Sequence, residues 1–250
     1  MRWLFRLLLR MVLFMLVIAA VLVLSVALLR WRGLILMPQE AAPRQWEVFG
    51  VDVSAYQGVV DWSKLAQQGV SFAFIKATEG SSLQDRRFAD NWAGATAAGV
   101  RPGAYHFFSY DSSGETQAEN FIAQVPNTPG ALPPVIDLEF YGPYLQAPKD
   151  RAQVQPNLDI LLERLEAHYG VKPILYVTYR SYRLYLSGGA YRDYPLWFSS
   201  PVIAPLGRGW RFWQYSHSAR LEGYQGEEQR IDLNVFSGSR QQFDSFGQIG

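Results

Sequence analysis

The chain has 250 residues, 49% of them hydrophobic, enough for one large core or two small ones, and one domain with an appendage is the simpler division. It contains no cysteine, which excludes disulfides, thiolate metal sites and a cysteine nucleophile. Arg2, Arg6, Arg10, Arg30 and Arg32 precede the first acid, Glu40; from residue 33 onward 18 basic residues face 22 acidic ones, and that mildly acidic balance excludes the electrostatic footprint of a nucleic-acid binder.

From Met11 to Leu29 the chain carries no charge, and Ser25 is its only polar side chain. At about 1.5 Å per residue such a helix matches a hydrocarbon core of about 30 Å. Residues 1–32 are therefore predicted to be an N-terminal signal anchor, with 11–29 as the transmembrane helix. Cleavage after Ser25-Val26-Ala27 is the competing reading, but the apolar run is longer than a usual signal-peptide core. Three arginines before the span and two after it lean toward a cytoplasmic N-terminus. The domain is then expected on the periplasmic or extracellular side of the cytoplasmic membrane. Residues 33–47, with Pro38, Pro43 and no clear periodicity, read as a tether reaching at most about 50 Å at about 3.3 Å per residue.

Strand-like and amphipathic stretches then alternate. Strands are predicted at 49–54, 71–78, 101–108, 134–139 and 172–179. Helices are predicted from Asp61, which is placed as an N-cap, and at 85–98, 115–124 and 156–169. Beyond residue 180 the helical signal weakens to one short helix at 181–186, followed by strands at 196–199, 210–215 and 230–236 among Gly/Pro-rich loops. This pattern predicts an α/β fold, an irregular TIM-like barrel of five βα units and three strands with little helix, over residues 48–238. Residues 239–250 read as a flexible tail.

In such barrels the working residues sit at strand C-termini. Asp52 ends the first predicted strand, and Asp137 and Glu139 end the fourth, where alternation puts both on one face. Two buried neighbouring carboxylates resist ionising together, so one can keep a proton near neutral pH. Asp232 stands at the start of the last predicted strand. Tyr56, Tyr105, Tyr176, Trp197, Trp213 and Tyr215 lie near strand ends and offer flat apolar faces with polar edges for a ligand, although packing is as good an account of any one of them. Lys76 and Glu79 read either as hydrogen-bonding partners of a substrate or as a pair with each other at the barrel mouth, and the pairing is favoured. His106, His168 and His217 show no metal-ligand spacing and read as structural or solvent-facing, and no metal or cofactor is expected.

Several stretches resemble the family 25 glycoside hydrolases, the lysozymes (N-acetylmuramidases) of peptidoglycan. They are GVDVSAYQGVVDW from Gly50, FAFIKATEG from Phe72, PGAYHF from Pro102, PVIDLE from Pro134, ILYVTY from Ile174, FWQYS from Phe212 and RIDLNVF from Arg230, in the family's order. The resemblance implies that Glu139 is the proton donor to the glycosidic oxygen, with Asp137 beside it and Asp52 and Asp232 completing an acidic pocket. It also implies peptidoglycan glycan strands as partner and a monomeric catalytic domain. Residues 195–206 depart from the family's pattern and keep only Trp197 clearly. The competing function is a catalytically idle barrel that binds glycan or a cell-envelope partner; a third reading keeps hydrolysis but on chitin-like polymers.

Overall fold

Alternation along a strand sends successive side chains to opposite faces. In the computed structural model, which describes residues 2–207 and 209–247, eight strands use that alternation to close a barrel. They are β1 (Phe49–Val53), β2 (Val70–Glu79), β3 (Arg101–Phe107), β4 (Val135–Asp137), β5 (Ile174–Thr178), β6 (Leu196–Ser199), β7 (Trp210–Ala219) and β8 (Ile231–Phe236). Neighbours from β1 through β7 pair in parallel, whereas β8 runs antiparallel to both β7 and β1. The reason is the connection: residues 220–230 hold no helix, and a short link joins antiparallel strands more readily than parallel ones.

A long helix, α1 (Arg2–Trp31), precedes the barrel, and α2 (Trp62–Gln67), α3 (Phe88–Ala97), α4 (Gly114–Gln124) and α5 (Arg151–Tyr169) follow β1 to β4. Asp61 caps α2 as predicted, accepting from the Lys64 N–H at 3.1 Å. The helix expected after β5 is a short helical segment over 179–186. Apolar residues divide into two layers: Phe72, Phe74, Phe212 and Phe236 fill the barrel, while Ala73, Ile75, Trp213 and Val235 face outward.

Two expectations about the ends are corrected. Residues 239–247 are not a loose tail: they form α6 (Arg240–Asp244), which presses Phe243, 1% exposed, against Phe72 and Phe236 with ring centroids 5.5 and 5.3 Å away. Arg101 fastens this segment by donating to the carbonyls of Phe243 and Phe246 at 2.6 and 2.8 Å. The remaining tail positions, 248–250, lie outside the described residues. Because Phe243 plugs the barrel, Phe243→Ala is expected to cost about 3–5 kcal/mol, measured by urea unfolding. A loss below about 0.5 kcal/mol would return the segment to a tail.

Residues 33–47 are not a free tether either. α1 ends on Gly33, in the left-handed region at φ 69°; its N–H donates to Arg30 O and the Leu34 N–H to Leu29 O, both at 2.9 Å. This is the bonding of a Schellman cap, and it turns the chain back sharply. A Cβ on Gly33 would also lie 2.6 Å from Gln45 Cβ. Leu36 is fully buried, its N–H donates to Val202 O at 2.9 Å, and Trp46 packs 5.7 and 6.0 Å from Trp210 and Trp213. Outward-facing rings on β7 need apolar cover, and among the described residues no helix follows β6 or β7 to supply it. The segment supplies it as a strap.

Candidate active site

A cavity of about 380 Å³ opens at the C-terminal ends of the parallel strands. Asp52, Asp137, Glu139 and Asp232, far apart in sequence, all line it. Asp232 reaches it because β8 is antiparallel, so the strand's first residues lie at the mouth, where Asp232 pairs directly with Asp52.

The Asp52 and Asp232 carboxylates are held by amides. Gln214 Nε2 donates to Asp52 Oδ2 at 2.9 Å and to Asp232 Oδ2 at 3.0 Å, and Asn234 Nδ2 donates to Asp52 at 2.7 Å. Each amide is oriented in turn: Tyr176 Oη donates to Gln214 Oε1 at 2.7 Å, and Trp197 Nε1 donates to Asn234 Oδ1 at 2.8 Å. A hydroxyl or indole donor engages the amide oxygen and leaves the NH₂ facing the carboxylates. Burial, then the charge of Asp232, pushes Asp52 up to about 8, with the two amides opposing the rise.

β4 ends at Asp137, and the extended chain carries Glu139 onto the same cavity wall. The Glu139 N–H donates to Asp137 Oδ1 at 3.1 Å. Asp137 is 7% exposed, and burial followed by the charge of Glu139 raises its pKa well above the usual carboxylate range. Burial also raises Glu139; Asp232 adds to this, and His217 and Lys76 oppose it. The less buried Glu139 is the acid a ligand can reach. Lys76 lies in the same wall, bound to Glu79 at 2.7 Å and 4.9 Å from the Phe107 ring centre, the pairing expected for these two residues.

Of the six aromatic candidates, Tyr56, Tyr105, Tyr176 and Trp197 line the cavity, with Tyr56 exposed at its rim. Tyr176 and Trp197 also orient the amides. Trp213 and Tyr215 are corrected: both are 0% exposed on the outer face of β7, where Trp213 Nε1 donates to Ser200 O at 2.7 Å and Tyr215 donates to Glu40 O. They flank Gln214, and alternation around that inward residue sends them outward.

His217 is exposed, as the solvent-facing reading expects, and it also lines the cavity with Nδ1 3.6 Å from Asp232 Oδ2; Asp232 raises its pKa. The pairing of β7 with β8 slips between Gln214 and Ser216, a bulge that re-aims the residues beyond it. His106, by contrast, is the structural residue expected, buried between Thr78 Oγ1 at 2.7 Å and Gln117 Oε1 at 3.0 Å, and burial lowers it to about 4. Gln214 and Asn234 were not among the predicted site residues. Asn234 stands two positions after Asp232, so alternation alone would have put it on the same face. Among the described residues no cluster of His, Asp or Glu is arranged to hold a metal ion.

This geometry offers buried acids raised above the usual carboxylate range, side by side in an open, aromatic-lined hollow, the equipment for splitting an acetal bond. Residues 51–224 match the model of the family described as Glycosyl hydrolases family 25. The chain is 48% identical to a family 25 glycosyl hydrolase from Bacillus anthracis of known structure, with a TM-score of 0.76 over 81% of this chain and 94% of that one. It is 33% identical over 213 residues to lysozyme M1 of Streptomyces globisporus, covering 77% of this chain and 68% of that protein. It is 34% identical over 212 residues to the uncharacterised protein YegX of Escherichia coli K12, covering 82% of this chain and 75% of that protein. The chain therefore belongs to glycosyl hydrolases family 25 and is a glycoside hydrolase of the lysozyme type.

Proposed function

We propose that this enzyme hydrolyses the β-1,4 bond between N-acetylmuramic acid and N-acetylglucosamine in peptidoglycan, with Glu139 as general acid and Asp137 assisting. The observation that carries the proposal is the pair of burial-raised carboxylates, Asp137 and Glu139, on one wall of a cavity whose opposite side holds Asp52 and Asp232. Glu139 gives its proton to the departing sugar oxygen as the C1–O bond breaks. The carboxyl oxygens of Asp52, Asp137 and Asp232, which line the same cavity, face the cationic centre left at C1 and stabilise it electrostatically. Water then adds at C1 and returns a proton to Glu139. Tyr56 and Tyr105 supply apolar faces for the sugar rings. The named relatives support the substrate class, since they include lysozyme M1 and an N,O-diacetylmuramidase of Arthroderma benhamiae.

We further propose that α1 is retained as a single membrane span through residues 11–29, with the barrel on the periplasmic or extracellular side. The helix is long and apolar enough to cross a membrane, and none of its span is buried against the barrel.

Mass spectrometry of digested peptidoglycan tests the assignment. Muramic acid is expected at the new reducing ends, and N-acetylglucosamine there would overturn muramidase specificity. Binding of glycan without release of any reducing ends would favour an idle barrel.

A further inference from the structure

The segment that departs from the family's sequence pattern is the one the strap grips. Ile35 and Ile203 form an antiparallel bridge, Ala204 N–H donates to Leu34 O at 2.9 Å, and Leu36 N–H to Val202 O at 2.9 Å. Val202 is held at φ 71°, a left-handed conformation that a β-branched residue rarely adopts. Its N–H donates to Tyr215 O at 2.9 Å, so both of its backbone polar groups are committed, one to the strap and one to β7. The loop 201–207 is thereby fixed beside the end of α1, and the strain at Val202 is the cost of that placement.

The outer side of this loop is apolar without any burial to explain it. Leu206 is 83% exposed, the highest value among the large apolar side chains of the described barrel, and Ile203 is 56% exposed. Leu34, Met37 and Tyr179 are exposed as well, and Tyr179 Oη accepts the Leu206 N–H at 2.7 Å. No acidic residue occurs from Trp31 to Gln39 or from Pro195 to Trp210. Nothing in either stretch would oppose an anionic lipid surface.

Height above the bilayer is set by the helix cap. Leu34 is bonded back to Leu29, so the strap and the loop paired with it begin where the apolar run of α1 ends rather than a tether's length away. The headgroup layer there is roughly 5–7 Å deep, taking half the difference between a hydrocarbon core of about 30 Å and a full bilayer of about 40–45 Å. We infer that loop 201–207 is a lipid-contact foot, with Ile203 and Leu206 entering the interfacial layer beside α1 and holding the barrel in one orientation on the membrane. The inference rests on the proposed retention of α1 as a membrane span. It gives the departure at 201–206 a use: the anchor and strap engage the outer face of the strands that line the cavity through Trp197, Gln214 and His217.

The chain has no cysteine, so single labels are clean. The full-length protein carrying Leu206→Cys, Glu115→Cys on α4 across the barrel, or Ala20→Cys within α1 is labelled with an environment-sensitive fluorophore. Each is reconstituted into phosphatidylethanolamine/phosphatidylglycerol vesicles. The Leu206 label should shift to the blue and be quenched by lipids spin-labelled near the headgroup, and the Glu115 label should do neither. A quenched Ala20 label with an unquenched Leu206 label would overturn the foot while leaving the anchor standing. A blue shift at Leu206 that lipid spin labels do not quench and that grows with protein density would assign the patch to a second copy of the chain and also overturn it. If the Ala20 label itself escapes deep spin labels, the anchor falls and the foot falls with it.

Discussion

Replacing Glu139 by Gln is expected to lower the rate of peptidoglycan hydrolysis by about 10²–10⁴-fold, the usual contribution of a positioned proton donor. Gln keeps the volume of the side chain and its backbone bond to Asp137, so the fold should be unchanged. The substitution also removes a group whose ionisation opposes that of Asp137, which lets Asp137 ionise more easily. Folding stability should therefore hold or rise. An aryl glycoside whose leaving group needs no protonation should lose much less than peptidoglycan does, and that contrast separates a missing acid from a damaged pocket. Wild-type turnover on peptidoglycan would remove Glu139 from the mechanism.

Asp52→Asn is expected to stabilise the protein in a pH-dependent way while lowering activity. Burial and Asp232 lift Asp52 from 3.8 to about 8, so between these values the folded chain must hold a proton that the unfolded chain has released. That difference is absent below about pH 4, grows as the pH rises and levels off above about pH 8. Asn carries no such cost. The variant should gain on the order of 1–3 kcal/mol near neutral pH and nothing near pH 4, read by thermal melts across the range. A gain that is flat with pH, or a loss at neutral pH, would mean that Asp52 is not held protonated. His106 works in the opposite sense, since burial lowers it from 6.5 to about 4. Its stabilising contribution is complete above about pH 6.5 and is lost as the pH falls toward about 4; both proteins share that loss, so the difference between their melts reports Asp52 alone.

Elements with a strong local signature were legible from sequence. The β4 carboxylates followed from alternation, and the helix starts followed from caps such as Asp61. What escaped depended on tertiary pairing. The direction of β8 is set by which strands it closes against, and only that direction explains a cavity-lining acid at a strand's start. Trp213 and Tyr215 sat in a motif beside the true inward residue, Gln214, and a one-residue error in parity exchanges the faces. The bulge that re-aims His217 leaves no mark in composition. The strap and α6 were read as loose because neither has a long periodic run; their order comes from covering or plugging a barrel that lacks helices on one side.

The strap also dictates where a gene may be trimmed. A protein shortened to the 51–224 family match would lack β8, with Asp232 and Asn234, the plug residue Phe243, and the chain that shields Trp213. Starting at residue 48 would still strip the wall behind the acidic hollow and leave indole and phenol rings bare to solvent. A water-soluble version should therefore begin at Gly33, where the hydrophobic span has ended and the clasp has not yet started.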